Sequence, residues 1–235
     1  MPEADVLTAP PPRRLAVGVS GSGSNLRALH AAATRGELGA SITLVFADRA
    51  CAALDWAAEQ GIETALVPGG ADAVVAEALG AAGIDVVVLA GYMRIAGPRT
   101  IAAVEGRILN THPALLPAFP GAHAVRDALA AGVRVTGCTV HLVTDVLDGG
   151  PILAQEGVPV LPGDDEASLH ERIKAVEHRL LPATVARLVA ERYGWSVPVP
   201  RRALLSVSDK TAPAPCPSKN AVDRTTVPAA PGGRS

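Results

Sequence analysis

An asparagine and a histidine stand two residues apart in Arg107–Pro117, RILNTHPALLP, and an aspartate follows in Thr144–Gly150, TDVLDGG. Alternate residues of an extended segment point to the same face. Asn110 and His112 can therefore converge on one small object where an apolar strand runs out into a proline-bounded loop. Open α/β sheets keep their ligands at such carboxyl ends of strands. Asp148, in a glycine-terminated loop, can supply the carboxylate that the pair lacks. Amide, imidazole and carboxylate together can transfer an acyl group without a covalent intermediate. An isolated Asn-x-His is more often a turn asparagine beside a structural histidine. Here Pro113 and Pro117 rigidify the following loop, and Ile108, Leu109, Leu115 and Leu116 make the surroundings apolar. Polar groups in such a setting point to a site.

A second signal is Ser20–Asn25, SGSGSN. Glycines let backbone approach a ligand closely, and the free N–H groups and positive dipole end of a helix start attract anions. Ser24 and Asn25 add side-chain donors, so a phosphate monoester suits the loop. The spacing is not GxGxxG, because Leu26 stands where the third glycine belongs, and there is no Walker lysine. A plain Gly-rich turn capping a helix is the competing reading.

The elements that must carry these residues alternate. Leu15–Ser20 is a short apolar run that suits a buried parallel strand. Leu26, Leu29, His30 and Ala33 then fall at helical spacing, with Gly36 just beyond. Ser41–Ala47 reads as a strand, Ala52–Gln60 as a helix, ETALVP as a strand and Asp72–Ala82 as a helix. DVVVLAGYM is the most β-branched run and the expected central strand, and Arg107–Asn110 completes a βαβ series. A doubly wound, mostly parallel α/β sheet is the natural fold. In the C-terminal half, Thr136–Val143 and Ile152–Val160 read as strands joined through the DGG loop, an antiparallel extension of the sheet. Asp165–Tyr193 reads as a long helix with a kink or break at Pro182, and Asp164–Glu166 as its negatively charged N-terminus. Residues 1–14 and 196–235 are Pro- and Ala-rich and expected to be disordered tails around one domain, 15–195.

Composition removes several function classes. Of the 235 residues 49% are hydrophobic but only 3% aromatic, so the core is built of Ala, Val and Leu. Lys and Arg (21) nearly balance Asp and Glu (23), which leaves no charge field for nucleic acid. No run reaches the length of a membrane span, and the first residues lack the apolar centre of a signal peptide. Cys51, Cys138 and Cys216 form no CxxC and read as thiols of a reducing cytoplasm. His30, His123, His170 and His178 show no metal-ligand spacing, so no metal is expected. The absence of GxSxG and of a Cys/His signature fits a reaction without a protein nucleophile.

SGSGSN, LAGYMRI, LNTHPALLP and TDVLDGGPI, in this order, resemble the phosphoribosylglycinamide formyltransferase family, folate-dependent enzymes of purine biosynthesis with a Rossmann-like formyltransferase fold. The likeness covers about Leu15–Tyr193. It implies transfer of a formyl group from 10-formyltetrahydrofolate, as co-substrate, to the amine of 5′-phosphoribosylglycinamide. It implies small-molecule substrates only, in a cytoplasmic monomer or homodimer. By the resemblance, Asn110 donates to the formyl oxygen as it becomes an oxyanion, and His112 assists and moves a proton. Asp148 either holds His112 charged or takes the proton of the attacking amine. Gly23, Ser24 and Asn25 match the phosphate-binding loop, and Glu177 the acid that meets the ribose or glycinamide. Met93, Arg94, Ile95 and Ala96 match the segment lining the pterin pocket, and Thr144, Asp145, Val146 and Leu147 the loop that closes over it. His141 and Thr139 share a strand face and can support the site.

Two departures stand out. The family carries a Ser-Arg pair before the helix at Asp72, whereas VPGGADAVVAEAL is shorter and has no arginine, which affects how the folate glutamate tail is held. Ala96 stands where a larger aliphatic is usual. The same three catalytic residues also occur in methionyl-tRNA formyltransferase and formyltetrahydrofolate deformylase. The phosphate loop and the absence of RNA-binding and regulatory domains weigh against both. A noncatalytic nucleotide-binding module gives no reason for Asn110, His112 and Asp148 to occur together. In the tail, RRALLSVSDKT resembles the opening strand of the bifunctional enzyme of the last two purine steps, and is expected to be a remnant without function.

Overall fold

A computed structural model of the chain describes residues 13–191. Seven strands form one sheet: β1 Arg13–Val19, β2 Ala40–Ala47, β3 Glu63–Leu66, β4 Val86–Leu89, β5 Ile108–His112, β6 Val135–Leu142 and β7 Ile152–Pro159. Their order is β3-β2-β1-β4-β5-β6-β7. β3 through β5 are mutually parallel, whereas β6 pairs antiparallel with both β5 and β7. The β-branched run does sit at the centre of the sheet. Strands are added outward in opposite directions from β1 and from β4, so the β1/β4 boundary is the switch point at which such sheets open a crevice beyond their strand ends.

Six helices cover the faces: α1 Ser24–Thr34, α2 Ala52–Glu59, α3 Asp72–Ala81, α4 Pro98–Ala103, α5 Ala124–Ala130 and α6 Glu166–Ala190. The parallel strands feed two cores in alternation, as a period of two requires, and Cys138 of β6 and Val158 of β7 join a third cluster. Leu15, Val17, Val19, Val86, Val88 and Leu109 pack with Leu26 and Leu29 of α1 and Leu181 and Val185 of α6. Ala16, Val87, Leu89 and Ile108 pack on the other side with Phe46, Val75 of α3 and Val104. Each fully buried Leu or Val contributes about 1.5–3 kcal/mol.

The differences from the sequence reading have physical causes. β1 starts at Arg13, ahead of the expected Leu15, because Arg13 and Arg14 pair with Ala40 and Ser41 at the open end of the sheet. β5 runs on through Thr111 and His112, since β6 supplies a partner for both residues. α6 is unbroken at Pro182. An interior proline costs about 3 kcal/mol or more, but Leu181, Pro182 and Val185 are all buried under the sheet, and that burial outweighs the lost hydrogen bond. Asp165 caps α6 in a reciprocal pair with Ser168. α4 and α5, six and seven residues long, span too few turns to show a helical period. The rest of the expected N-terminal tail, the tail 196–235 and RRALLSVSDKT lie outside the described residues. Among the described residues, no helix is long and apolar enough to cross a membrane.

Candidate active site

Asn110 and His112 point from one face of β5, and register places His141 opposite Asn110 and Thr139 opposite His112. Asn110 Nδ2 lies 3.2 Å from His141 Nε2, and His141 Nδ1 lies 2.9 Å from the Leu142 carbonyl oxygen. A carbonyl only accepts, so the His141 proton sits on Nδ1 and its Nε2 accepts from the amide. That contact orients Asn110 and leaves the second amide hydrogen for another acceptor. Thr139 holds the proline loop, donating to the Ala114 carbonyl (2.6 Å) and accepting from Leu116 N–H (3.1 Å).

His112 is held from both sides. Its Nε2 donates to the Phe119 carbonyl oxygen at 2.8 Å, and its Nδ1 faces Asp148 Oδ2 at 3.5 Å. Asp148 also accepts from Gly121 N–H at 2.8 Å and lies 3.6 Å from His141 Nε2. Its side chain is only 7% exposed. When its Nε2 is protonated, His141 is the largest influence holding the Asp148 carboxyl below its usual value; burial opposes it, and the Gly121 amide and His112 reinforce it. Phe119 (φ 53°) and Asp148 (φ 50°) both adopt left-handed backbone. Such conformations cost about 1–3 kcal/mol each and persist where surrounding structure fixes them. Here they aim one carbonyl and one carboxylate at the same imidazole.

Across the crevice, Gly23 caps α1 in the left-handed conformation, φ 77°, with no acidic residue in the first turn to compete with an anion. A Cβ at Gly23 would fall 2.6 Å from that of Ala53. Gly23→Ala is therefore expected to lower stability by about 1–3 kcal/mol from backbone strain alone, read by denaturant unfolding. It should also weaken phosphate-ester binding by calorimetry, and unchanged values in both would show that the loop has slack. Asn25 Nδ2 donates to Glu177 Oε2 (3.0 Å), and Thr111 donates to Glu177 Oε1 (3.1 Å). Glu177 is thus buried and tied to α1 and β5 at once, which rules out a solvated helix position. Asn25 Oδ1 is buried with no protein partner.

These groups line one cavity of about 670 Å³, a size suited to a small organic ligand. Ser22 to Asn25, Met93 to Ala96, Asn110, His112, Thr144, Val146, Leu147, Asp148 and Glu177 all reach its wall. Asp145 does not; it is exposed. Met93, Ile95, Val146 and Leu147, all more than half exposed, give the cavity an apolar rim. Arg94 is no plain surface charge, because its Nε bonds the buried Asp48 at 2.9 Å. Ala96 borders a crevice of about 10 Å³ against Phe46, Leu89 and Tyr92, small because Tyr92 packs edge-on against Phe46. Cys138, near Thr111, has its thiol pushed up to about 12 by burial and stays protonated. Among the described residues, no group of three or more His, Cys, Asp or Glu could hold a metal ion.

Sequence reasoning missed several wall residues. His170 and Lys174 line the same cavity as Glu177; their spacing of four and then three along one helix face was the available signal. Gly121 and Phe119 act through backbone groups, which side-chain type does not reveal.

A family model described as "Formyl transferase" matches residues 13–185. The phosphoribosylglycinamide formyltransferase of Mycobacterium tuberculosis (strain H37Rv) is 52% identical over 191 residues, covering 77% of this chain and 88% of that protein. The human trifunctional purine biosynthetic protein adenosine-3 is 42% identical over 185 residues, 75% of this chain but 18% of that protein. The crystal structure of glycinamide ribonucleotide transformylase 1 from Symbiobacterium toebii aligns with a TM-score of 0.74 at 43% identity, covering 77% of this chain and 89% of that one.

Proposed function

The chain belongs to the formyl transferase family and formylates phosphoribosylglycinamide at the expense of a formyltetrahydrofolate; we propose that 10-formyltetrahydrofolate is the donor and that Asn110, His112 and Asp148 carry the transfer. The observation that supports this assignment is the convergence of the three side chains on one wall of a cavity whose other wall is an anion-attracting loop. The phosphate of the acceptor lies at Gly23, Ser24 and Asn25, and its ribose or glycinamide meets Glu177. The pterin lies against Met93 to Ala96 beneath Thr144 to Leu147, where the apolar rim is covered on binding.

The acceptor amine attacks the formyl carbon, forming a C–N bond and placing negative charge on the formyl oxygen. The second Asn110 N–H donates to that oxygen, an interaction that strengthens as charge develops. Collapse of the tetrahedral intermediate breaks the bond between the formyl carbon and N10 of the folate. The amine loses a proton and N10 gains one; His112, with Asp148 beside it, moves that proton. No covalent enzyme intermediate forms, so a protonated Cys138 is no obstacle.

The test is an absorbance assay with 10-formyltetrahydrofolate and phosphoribosylglycinamide, with His112→Ala as control. Turnover that requires the amine and disappears in the variant supports the assignment. Deformylation without the amine would instead make the protein a hydrolase, and silence with both substrates would refute the transfer.

A further inference from the structure

Between β4 and α4, residues 91–97 have no regular secondary structure, yet six of them form one wall of the cavity. Backbone without a ladder must find its partners elsewhere. Met93 N–H donates to Ser20 Oγ at 2.8 Å, and the Ser20 hydroxyl donates to Asp48 Oδ1 at 2.6 Å. Arg94 Nε donates to the other oxygen, Asp48 Oδ2, at 2.9 Å. One carboxylate thus reaches both the main chain and a side chain of the wall. Its own side chain is fully buried just past β2, and Arg49 adds a further ion pair at 2.9 Å. The carboxyl is held down to about 2, first by Arg49 against the opposing effect of burial, then by Ser20 and Arg94. It is therefore ionised at every pH at which the enzyme would be assayed.

The short VPGG segment belongs to the same assembly. Gly69 N–H donates to the Asp48 carbonyl at 3.0 Å. A Cβ on Gly70, at φ +69°, would fall 2.6 Å from Tyr92 Oη and 2.8 Å from Arg94 Cγ. The shortened loop thus packs directly onto the wall segment.

We propose that Asp48 is a positioning residue for the formyl donor: through Ser20 and Arg94 it fixes the Met93–Ala96 wall in the shape that receives the folate ring. This rests on the assignment of that wall to the folate made above. Asp48 touches neither substrate nor the reacting atoms. Its contribution is preorganisation, since a wall left loose must be ordered at the moment of binding. On the acceptor's side Asp48 holds only Ser20, at the start of the loop, while Ser24 and Asn25 belong to α1 and Glu177 to α6.

Steady-state kinetics with each substrate varied in turn tests this on the full chain. Asp48→Ala is expected to raise KM for 10-formyltetrahydrofolate by about tenfold or more, with kcat within about threefold and KM for phosphoribosylglycinamide within about twofold. Asp48→Asn keeps one oxygen that can accept from Ser20 and Arg49 but loses the bond from Arg94, and should bring the folate KM part of the way back, to between the parent and Asp48→Ala. Ser20→Ala, which removes the bridge from Asp48 to Met93 N–H but leaves Asp48 with Arg49 and Arg94, should shift the same parameter in the same direction, and serves where Asp48→Ala fails to fold. An unchanged folate KM in Asp48→Ala or Ser20→Ala overturns the proposal. So does an equal rise in both KM values without rescue by asparagine, which is the mark of general loosening. A parent protein that turns over normally beside such variants leaves the formyltransferase reading standing. A parent that neither turns over nor binds 10-formyltetrahydrofolate overturns both.

Discussion

Asn110→Ala is expected to lower kcat by about two to three orders of magnitude, because removing one oxyanion donor costs about 2.7–4 kcal/mol in the transition state. The reasoning begins with the His141 tautomer. The Leu142 carbonyl fixes the proton on His141 Nδ1, His141 Nε2 then accepts one Asn110 hydrogen, and the other is presented to the cavity. A donor already aimed needs no reorganisation as charge develops. The loss should therefore fall on kcat, with both KM values within about threefold, the pattern of an interaction made mainly in the transition state. Steady-state kinetics on a variant with native circular dichroism decides it. A fall in kcat of less than tenfold, or a loss confined to KM, would remove Asn110 from the oxyanion role.

Asp148→Asn should be comparably damaging, with kcat reduced by about 10²–10⁴-fold, the range for a positioned proton-transfer partner. The amide is nearly isosteric and can still accept from Gly121 N–H, so the variant removes charge rather than shape. In the parent, Asp148 is held below the usual 3.8. It therefore stays ionised at neutral pH and down through mildly acidic conditions. The variant should accordingly be impaired at every pH from 5 to 9, without a shifted acid limb. The same depression fixes the sign for stability. A carboxyl with a lowered folded-state value contributes stability that is fully present above its unfolded value and lost as pH falls through the folded one. The parent should thus gain over Asp148→Asn above about pH 4 in denaturant unfolding, and that gain should fade below 3.8. A rate profile in which the variant recovers at high pH would contradict the assigned charge.

Much of this site was legible because its chemistry is carried by side chains at fixed short spacings. Asn110 and His112 had to share a face wherever the chain was extended, and the apolar run before them made extension the natural state. The Asp148 loop announced itself through its two glycines. What was not legible depends on partners distant in sequence. β5 extends to His112 only because β6 lies beside it, a pairing that no local pattern encodes. Glu177 stood out only through the family resemblance, because α6 is amphipathic only relative to a sheet not yet assembled. Asp48 carries no local signal at all; its burial follows from Ser20, Arg49 and Arg94 closing around it. Pro182 misled in the opposite sense, since its local cost was plain and the burial that offsets it was not.

The hydrogen bond from Asn25 to Glu177 joins residues 152 positions apart. During synthesis the chain emerges from its N-terminus, so the sheet and its strand-borne amide and imidazole can form while the carboxylate is still inside the ribosome. The cavity is completed only when α6 has emerged and docked. Chains stalled or cleaved between β7 and residue 177 would keep the sheet yet lack one wall of the site, and recovery of activity on refolding should lag the recovery of secondary structure, as the slow closure of long-range contacts dictates.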